Sequence, residues 1–448
     1  MISMGRKLAK QALAASLLVA WLVVGPASAR PVLMISIDGL RPGDVLQADQ
    51  RGLKVPNLRR FVAEGAYARA VVGVLPTLTY PSHVTLITGV APARSGVVSN
   101  LSFDPTGINQ DGWDWYARDI QVPTLWEMAH AAGIRTANVH WPVSVAAKGL
   151  DENLPQIWRT GHPDDDKLLH ALATPGLLER LEAVLGAYAR GIDEEIGGDE
   201  NRGAFAARII ADDRPGFITV YLAALDTVQH AFGPDTPQAH AVLERIDAVV
   251  GRLIAAERRA APDADVVVVS DHGFAPVDTH VNLLAAFQAA DLVQMSASGK
   301  VTAWEATPWN SGGSAAIMLA RPDDPALVGR VRALLAKLAA DPKLRIHRVI
   351  ERSEIARMGG NPSASFYVDF EPGVTSSSTG TVAGPSLVRG MHGYFPGEHP
   401  EMASTFLILG PHLPRRGDLG VIDMRQIAPT VARILGVSLP QAEKPPVF

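Results

Sequence analysis

The chain has 448 residues, a formal net charge of −5 and no cysteine. That length is enough to bury a large core, in one large domain or in two to three smaller ones. The mild charge, without a basic run, excludes a protein built to hold nucleic acid along its backbone. The missing cysteines exclude disulfides and thiolate zinc sites.

Residues 1–29 carry the marks of an export signal. Arg6, Lys7 and Lys10 form a charged region, residues 12–24 are apolar, and Ala27-Ser28-Ala29 offers a small-residue cleavage site. The alternative is an uncleaved membrane anchor, for which the stretch is short. Nothing later is apolar for long enough to span a bilayer. The chain reads as exported, to a periplasm or to the exterior.

After the signal the pattern is strand, loop, helix, repeated. Val32–Ile37 is a β-branched and apolar run, as expected of a strand covered on both faces. Residues 55–64 are helical and end at Gly65, and 68–74 read as a second strand. Residues 82–88 open a helix that stops at Gly89. Residues 122–132 form a helix ended by Gly133, and 136–140 a short strand. Residues 176–190 and 201–211 are helical. Phe217–Leu222 and residues 265–270 are buried strands, joined by the long helix Pro237–Ala260. This alternation predicts an α/β fold, doubly wound, with a mostly parallel sheet flanked by helices.

From residue 281 to 390 the character changes to a small α+β insertion, or cap, within a catalytic domain of residues 30–280 and 391–448. Residues 325–340 form an amphipathic helix, with Asp324 as cap and Pro325 at its first position. Strands are expected at 315–319, 347–349 and 365–370, and a loop at 375–384. The core pattern resumes with a strand at 404–409 and a helix at 424–435.

The strand ends carry chemistry. Asp38 follows the first strand, Asp226 and His230 lie just beyond Phe217–Leu222, and Asp271-His272 follow the third buried strand. Ligands in open α/β sheets gather at such ends. A lone aspartate there is ordinarily a cap or turn residue; four ligand types at three strand ends are not explained that way. Asp226 and His230 are four apart and share a helix face. Gly273 relieves crowding beside Asp271-His272. Oxygen and imidazole ligands without sulfur suit zinc, with manganese or iron possible. Thr79 lies just before the helix near Ser82, where N-terminal amides favour an anion. Its plain alternative is a helix cap.

In order, Ile35-Ser36-Ile37-Asp38-Gly39-Leu40-Arg41, Leu75-Pro76-Thr77-Leu78-Thr79-Tyr80-Pro81-Ser82-His83, Asp226-Thr227-Val228-Gln229-His230, Ser270-Asp271-His272-Gly273 and His392-Gly393-Tyr394 form one ordered set. The set resembles the nucleotide pyrophosphatase/phosphodiesterase family of the alkaline phosphatase superfamily, across nearly the whole chain after the signal. The resemblance implies an alkaline-phosphatase-like fold and two zinc ions. It implies Thr79 as a nucleophile that forms a phospho-threonine. Asp226, His230 and His392 match the ligands of one zinc; Asp38, Asp271, His272 and the Thr79 oxygen match those of the other. Asn100 matches an amide that steadies a phosphate oxygen, and Tyr80 matches an aromatic residue against the ester group. Core packing is the plain alternative for Tyr80.

The reading is thus a metal-dependent hydrolase of phosphate diesters. Its substrate is a small molecule such as a nucleotide or a phospholipid headgroup, and no protein partner is inferred. A phosphomonoesterase or phosphonate hydrolase on the same scaffold is the enzymatic alternative, and a non-catalytic metal-dependent binding protein is the other. Two departures from the family stand out: Ala223-Ala224-Leu225 precedes Asp226, and Ser82 stands where asparagine is common. His83 reads as structural; His140, His280 and His399 carry no assignment.

Overall fold

The computed structural model describes residues 30–108, 112–157, 162, 164–189 and 194–448. The export signal and Arg190 lie outside them. Among the described residues no helix is long and apolar enough to cross a membrane.

The main sheet has eight strands, in the order Gly417–Asp418, Ala66–Tyr67, Phe406–Leu409, Asp265–Val269, Val32–Ile37, Phe217–Leu222, Thr136–Val139, Glu152–Leu154. The last five run parallel. Phe406–Leu409 runs antiparallel to both its neighbours. Val32–Ile37, Phe217–Leu222 and Asp265–Val269 are buried at every position. Two apolar layers explain that pattern. Leu33, Ile35, Val220 and Val268 pack with Phe205, Ile246 and Val250 on one face. Met34, Val267 and Phe406 pack with Trp126, Ile427 and Val431 on the other. The expected doubly wound, mostly parallel architecture is therefore the one observed.

Several boundaries differ from expectation. The strand expected at 68–74 is split into Ala66–Tyr67 and Ala70–Val72; the second leaves the main sheet to pair with Val421–Asp423. The helix expected from 122 begins at Leu125, because the Thr124 side chain accepts from Glu127 N and forms a capping box. The helix expected at 201–211 runs from Ile196 to Asp213, and that expected at 176–190 is Leu177–Leu185. The expected loop at 375–384 is flanked by the strands Val374–Ser377 and Ala383–Pro385, which pair on either side of Thr279–Asn282. Its Ser, Thr and Gly content hid strands that owe their form to pairing rather than propensity.

Between these segments stands a four-stranded antiparallel sheet, ordered Ala306–Asn310, Ser314–Leu319, Phe366–Phe370, Ile346–Glu351. The helix Pro325–Ala339 covers it, and the Asp324 side chain accepts from Ala326 N and Leu327 N as expected. Leu327, Val331 and Leu335 join Ile317, Phe366 and Val368 in a core of their own.

One buried acid in the long helix bears on stability. Glu257 is 2% exposed, and burial pushes its carboxyl up to about 7 against the opposing charge of Arg258. The folded state holds this proton more tightly than the unfolded chain, where a glutamate titrates at about 4.3. Stability is therefore lost as pH rises from about 4.3 through about 7. Glu257→Gln should melt like the parent near pH ~4. At pH ~8 it should be more stable by about 1–3 kcal/mol. A gain of equal size at both pH values would contradict this account.

Candidate active site

Separate segments converge at the carboxyl edge of the parallel strands. Asp38 follows Val32–Ile37, and Asp271 and His272 lie just beyond Asp265–Val269. Asp226 and His230 sit on the Ala224–Phe232 helix, and His392 follows the short strand Gly390–Met391. Thr79 is the first residue of the Thr79–Thr88 helix, with Leu78 at its N-cap. Thr79 was expected just before that helix and lies instead within its first turn, so it is not the cap.

Asp38, Asp271 and His272 offer ligand atoms within 4.8 Å of one another, and so do Asp226, His272 and His392. His272 therefore stands where the two groups meet. The family resemblance implies His230 rather than His272 beside Asp226 and His392. His230 is nonetheless at hand, its Nε2 3.3 Å from Asp226 Oδ2. Thr79 Oγ1 lies 3.5 Å from His272 Nε2.

The imidazoles are aimed by the backbone. His230 Nδ1–H donates to Gly390 O at 3.0 Å, His272 Nδ1–H to Gly273 O at 3.1 Å and His392 Nδ1–H to Thr77 O at 3.0 Å. A carbonyl only accepts, so the proton sits on Nδ1 and Nε2 faces the carboxylates. Burial drives His272 well below the ordinary histidine range and brings His392 down to about 4. Both rings are neutral at pH ~7, the state that ligates a metal. His230 is raised instead: burial opposes its charge, but Asp226 beside it prevails.

The carboxylates are short of partners. Asp38 Oδ1, Asp226 Oδ1 and Asp271 Oδ2 are buried with no hydrogen bond. Burial holds both Asp38 and Asp271 above the usual carboxylate range, and the charges of Asp271 and Asp226 raise Asp38 further. Leaving such acceptors unpaired is costly. Cations at both groups would satisfy them, and carboxylate oxygen with imidazole nitrogen is a donor set that fits zinc-type divalent ions.

Supporting residues escaped the sequence reading. Tyr221 OH donates to Asp38 Oδ2, and Gly39 N donates to Asp271 Oδ1 at 3.1 Å. Asp199 accepts from Ala223 N at 3.0 Å and Ala224 N at 2.9 Å, and pairs with Arg202 at 2.7 Å. It thereby caps the helix carrying Asp226 and His230, whose own N-cap is the alanine Ala223. Asp199 is remote in sequence from the backbone it caps, so no local motif marks it. Two motif glycines have a steric cause. A Cβ on Gly273 would lie 1.9 Å from Glu401 O. One on Gly393, whose φ is +92°, would lie 1.7 Å from Ser311 O.

The other histidines fall elsewhere. His83 Nδ1–H donates to Thr79 O at 2.7 Å, and its Nε2 accepts from Ser36 Oγ at 2.8 Å. It is a buried brace beneath Thr79, brought down to about 3 by burial. His140 stacks on Tyr221, His280 bonds the Pro385 and Thr381 carbonyls, and His399 pairs with Asp369 at 2.6 Å.

A cleft of about 240 Å³ opens over Thr79. Asn100 lines it, and Asn100 Oδ1 accepts from Tyr80 N at 2.9 Å, which leaves Nδ2 as the donor for a ligand. The Tyr80 ring also lines the cleft while 1% exposed; its hydroxyl donates to Gln156 Oε1 at 2.6 Å, and its ring lies 5.4 Å from Trp113. Tyr80 thus packs and forms a wall at once. Among the described lining residues none is a lysine or arginine, and Glu194 adds a carboxylate.

The family model for type I phosphodiesterase / nucleotide pyrophosphatase matches residues 32–395. The chain belongs to that family. An uncharacterized pyrophosphatase/phosphodiesterase of Schizosaccharomyces pombe is 28% identical over 261 residues, covering 55% of this chain and 45% of the relative. Human ectonucleotide pyrophosphatase/phosphodiesterase family member 1 is 24% identical over 254 residues, covering 54% of this chain and 23% of the relative. The matched stretch is thus less than half of these relatives' own length. Murine ectonucleotide pyrophosphatase/phosphodiesterase 5, solved as an inactive variant in complex with AMP, superposes with a TM-score of 0.65 at 19% identity. It covers 92% of this chain and 96% of its own, so the phosphodiesterase fold extends over nearly all of both.

Proposed function

We propose that this member of the phosphodiesterase family is an exported hydrolase of phosphate diesters, periplasmic or secreted, that works with two zinc ions and a phospho-threonine. Residues 30–280 and 391–448 form its catalytic domain, and 281–390 the cap. One observation carries the reading: three orphaned carboxylate oxygens face three backbone-aimed imidazoles beside the buried hydroxyl of Thr79.

Asp226, His230 and His392 would hold one ion, and Asp38, Asp271, His272 and Thr79 the other. Bound there, two zinc ions supply positive charge to the attacking and departing oxygens of an in-line displacement. The protein supplies the rest. Thr79 Oγ1, its proton lost to solvent, bonds to phosphorus as the bond to one ester oxygen breaks; that alkoxide departs and takes up a proton, and Thr79 keeps the phosphoryl group with the remaining ester arm. The N-terminus of the Thr79–Thr88 helix favours the approaching anion. Asn100 Nδ2 donates to a non-bridging oxygen. Tyr80 and Trp113 wall the cleft against the ester group, and water then bonds to that phosphorus as the Thr79 Oγ1–P bond breaks, which releases the monoester and returns a proton to Thr79.

Charge favours a diester over a monoester. A monoester brings an additional negative charge, which a cationic side chain would offset; Asn100 is neutral, and no lysine or arginine is among the described lining residues. With zinc restored after chelation, the protein should therefore hydrolyse a nucleotide nitrophenyl diester at least about a hundredfold faster than nitrophenyl phosphate. Replacing Asn100 with alanine should slow the diester by about 10²–10³-fold, the scale of one lost transition-state hydrogen bond donor. A preference for the monoester would keep the metal groups and overturn the substrate class.

A further inference from the structure

A further group of metal-binding residue types lies apart from the Thr79 cleft. His347, Asp369 and His399 offer ligand atoms within 4.8 Å of one another. They come from three segments. His347 stands on the edge strand Ile346–Glu351, Asp369 on its neighbour Phe366–Phe370, and His399 on the loop that follows His392. Asp369 and His399 are buried, whereas His347 reaches solvent.

The strand pairing brings His347 to the group. Ile346 pairs with Phe370 and Arg348 with Asp369, so the register shifts at His347 and leaves it as the extra residue of a bulge. In a regular strand His347 and Arg348 would face opposite sides of the sheet. A bulge re-aims a side chain, and this imidazole ends beside that of His399, ring centroids 5.0 Å apart.

The donor atoms are held in order. His347 Nδ1–H donates to Glu371 Oε1 at 3.3 Å, the carboxylate–imidazole pairing that orients a metal-ligating histidine. Its Nε2 is then a bare acceptor, and Glu398 Oε2 faces it at 3.3 Å. Two acceptors that face one another are relieved by a shared cation. Their spacing matches the edge, roughly 3.3 Å, of a tetrahedron with metal–ligand bonds of about 2.0–2.1 Å. Arg348 Nη1 donates to the other Glu398 oxygen at 2.7 Å, and Phe395 N to Asp369 Oδ1 at 3.0 Å. Asp369 Oδ2 is left to His399 Nε2 at 2.6 Å, a hydrogen-bond distance, so a cation entering there displaces the shared proton.

We propose that His347, Asp369, Glu398 and His399 form a third divalent-cation site, zinc-type by its two imidazoles and two carboxylates. Four protein ligands make a closed, structural site. It fastens the four-stranded antiparallel sheet to the loop from His392 to Met402. That loop serves the active site at both ends: it begins at His392, and Met402 O accepts from Gly273 N at 3.2 Å, beside His272.

The test counts metal. Chelator-stripped protein is equilibrated at about 100 nM free zinc, which fills structural sites and leaves stray surface histidines bare. Bound zinc is then measured by plasma mass spectrometry. His347→Ala removes a ligand while leaving the Asp369–His399 hydrogen bond in place. It should bind one zinc fewer per chain than the parent and lose part of the parent's zinc-induced rise in melting temperature. Without metal the two should melt alike, since the position is exposed. Glu398→Gln should also bind one zinc fewer, and serves if the alanine variant does not fold. The double variant Asp38→Asn, Asp226→Asn, stripped of active-site charge, should keep the equivalent that His347→Ala loses. Equal zinc content in the parent and a folded His347→Ala would overturn this site and leave the active-site reading standing. A parent that holds a single zinc, absent from His347→Ala, would support this site and overturn the two-zinc reading.

Discussion

Replacing Thr79 with alanine is expected to lower turnover of a phosphate diester by about 10³–10⁶-fold, the range seen when a covalent nucleophile is removed. The fold should not suffer. The hydroxyl is 3.5 Å from His272 Nε2 and makes no hydrogen bond to the backbone, and the helix it opens is capped by Leu78 without any side-chain bond. Thr79 is 8% exposed and alanine fits the same first turn, so the melting temperature should move little. Thr79→Ser keeps the oxygen and should retain a measurable fraction of the rate. The measurement is kcat beside metal content and thermal melting on the same preparation. Wild-type turnover by the alanine variant, still metal-loaded, would dismiss Thr79 as nucleophile.

Removing metal should abolish activity and destabilise the protein together. Asp38 is 2% exposed, Asp271 is fully buried, and both share the site with Asp226. Burial first, and without cations the neighbouring carboxylate charges as well, hold Asp38 and Asp271 above the ordinary carboxylate range. A metal that binds only the folded state adds about 4 kcal/mol at a thousandfold excess over its dissociation constant. Chelation should therefore lower the melting temperature, and zinc should restore it. Sign and pH follow from the raised values. Metal uptake must displace the protons that Asp38 and Asp271 hold, so affinity should fall as pH falls. Asp271→Asn separates repulsion from catalysis. The chelated variant should melt above the chelated parent, because one buried charge is gone. Its gain on adding zinc should be smaller, and its turnover should fall by at least about 100-fold. A chelated variant less stable than the chelated parent would mean that the carboxylates do not repel in the folded state.

The main elements were legible because each is specified locally. Val32–Ile37, Phe217–Leu222 and Pro237–Ala260 begin and end where their runs of apolar or helix-period residues do. The short pieces were not legible. Ala66–Tyr67 and Glu152–Leu154 are strands because a neighbour offers them hydrogen bonds, and Val374–Ser377 is one because Thr279–Asn282 lies beside it. The same contrast holds at the site. The residues expected as metal ligands are side chains whose type declares their chemistry, and they stand in motifs whose order marks the family. Their supports carry no such label. Asp199 caps a helix that follows it by more than 20 residues, and Tyr221 is one aromatic among many until its hydroxyl meets Asp38.

By itself the sequence determined the α/β class, the family and the residue types that can hold cations around a hydroxyl. Those follow from local periodicity and from short motifs, which survive without knowledge of distance. Only the tertiary structure decided that His272 stands between the two groups of acids and imidazoles, that Asp38 Oδ1, Asp226 Oδ1 and Asp271 Oδ2 are left unpaired, and that residues 99–107 and 307–312 line one cavity. Each of these joins atoms from segments far apart in the chain. Burial, orientation and unsatisfied hydrogen bonds belong to those meetings, and no single segment encodes them.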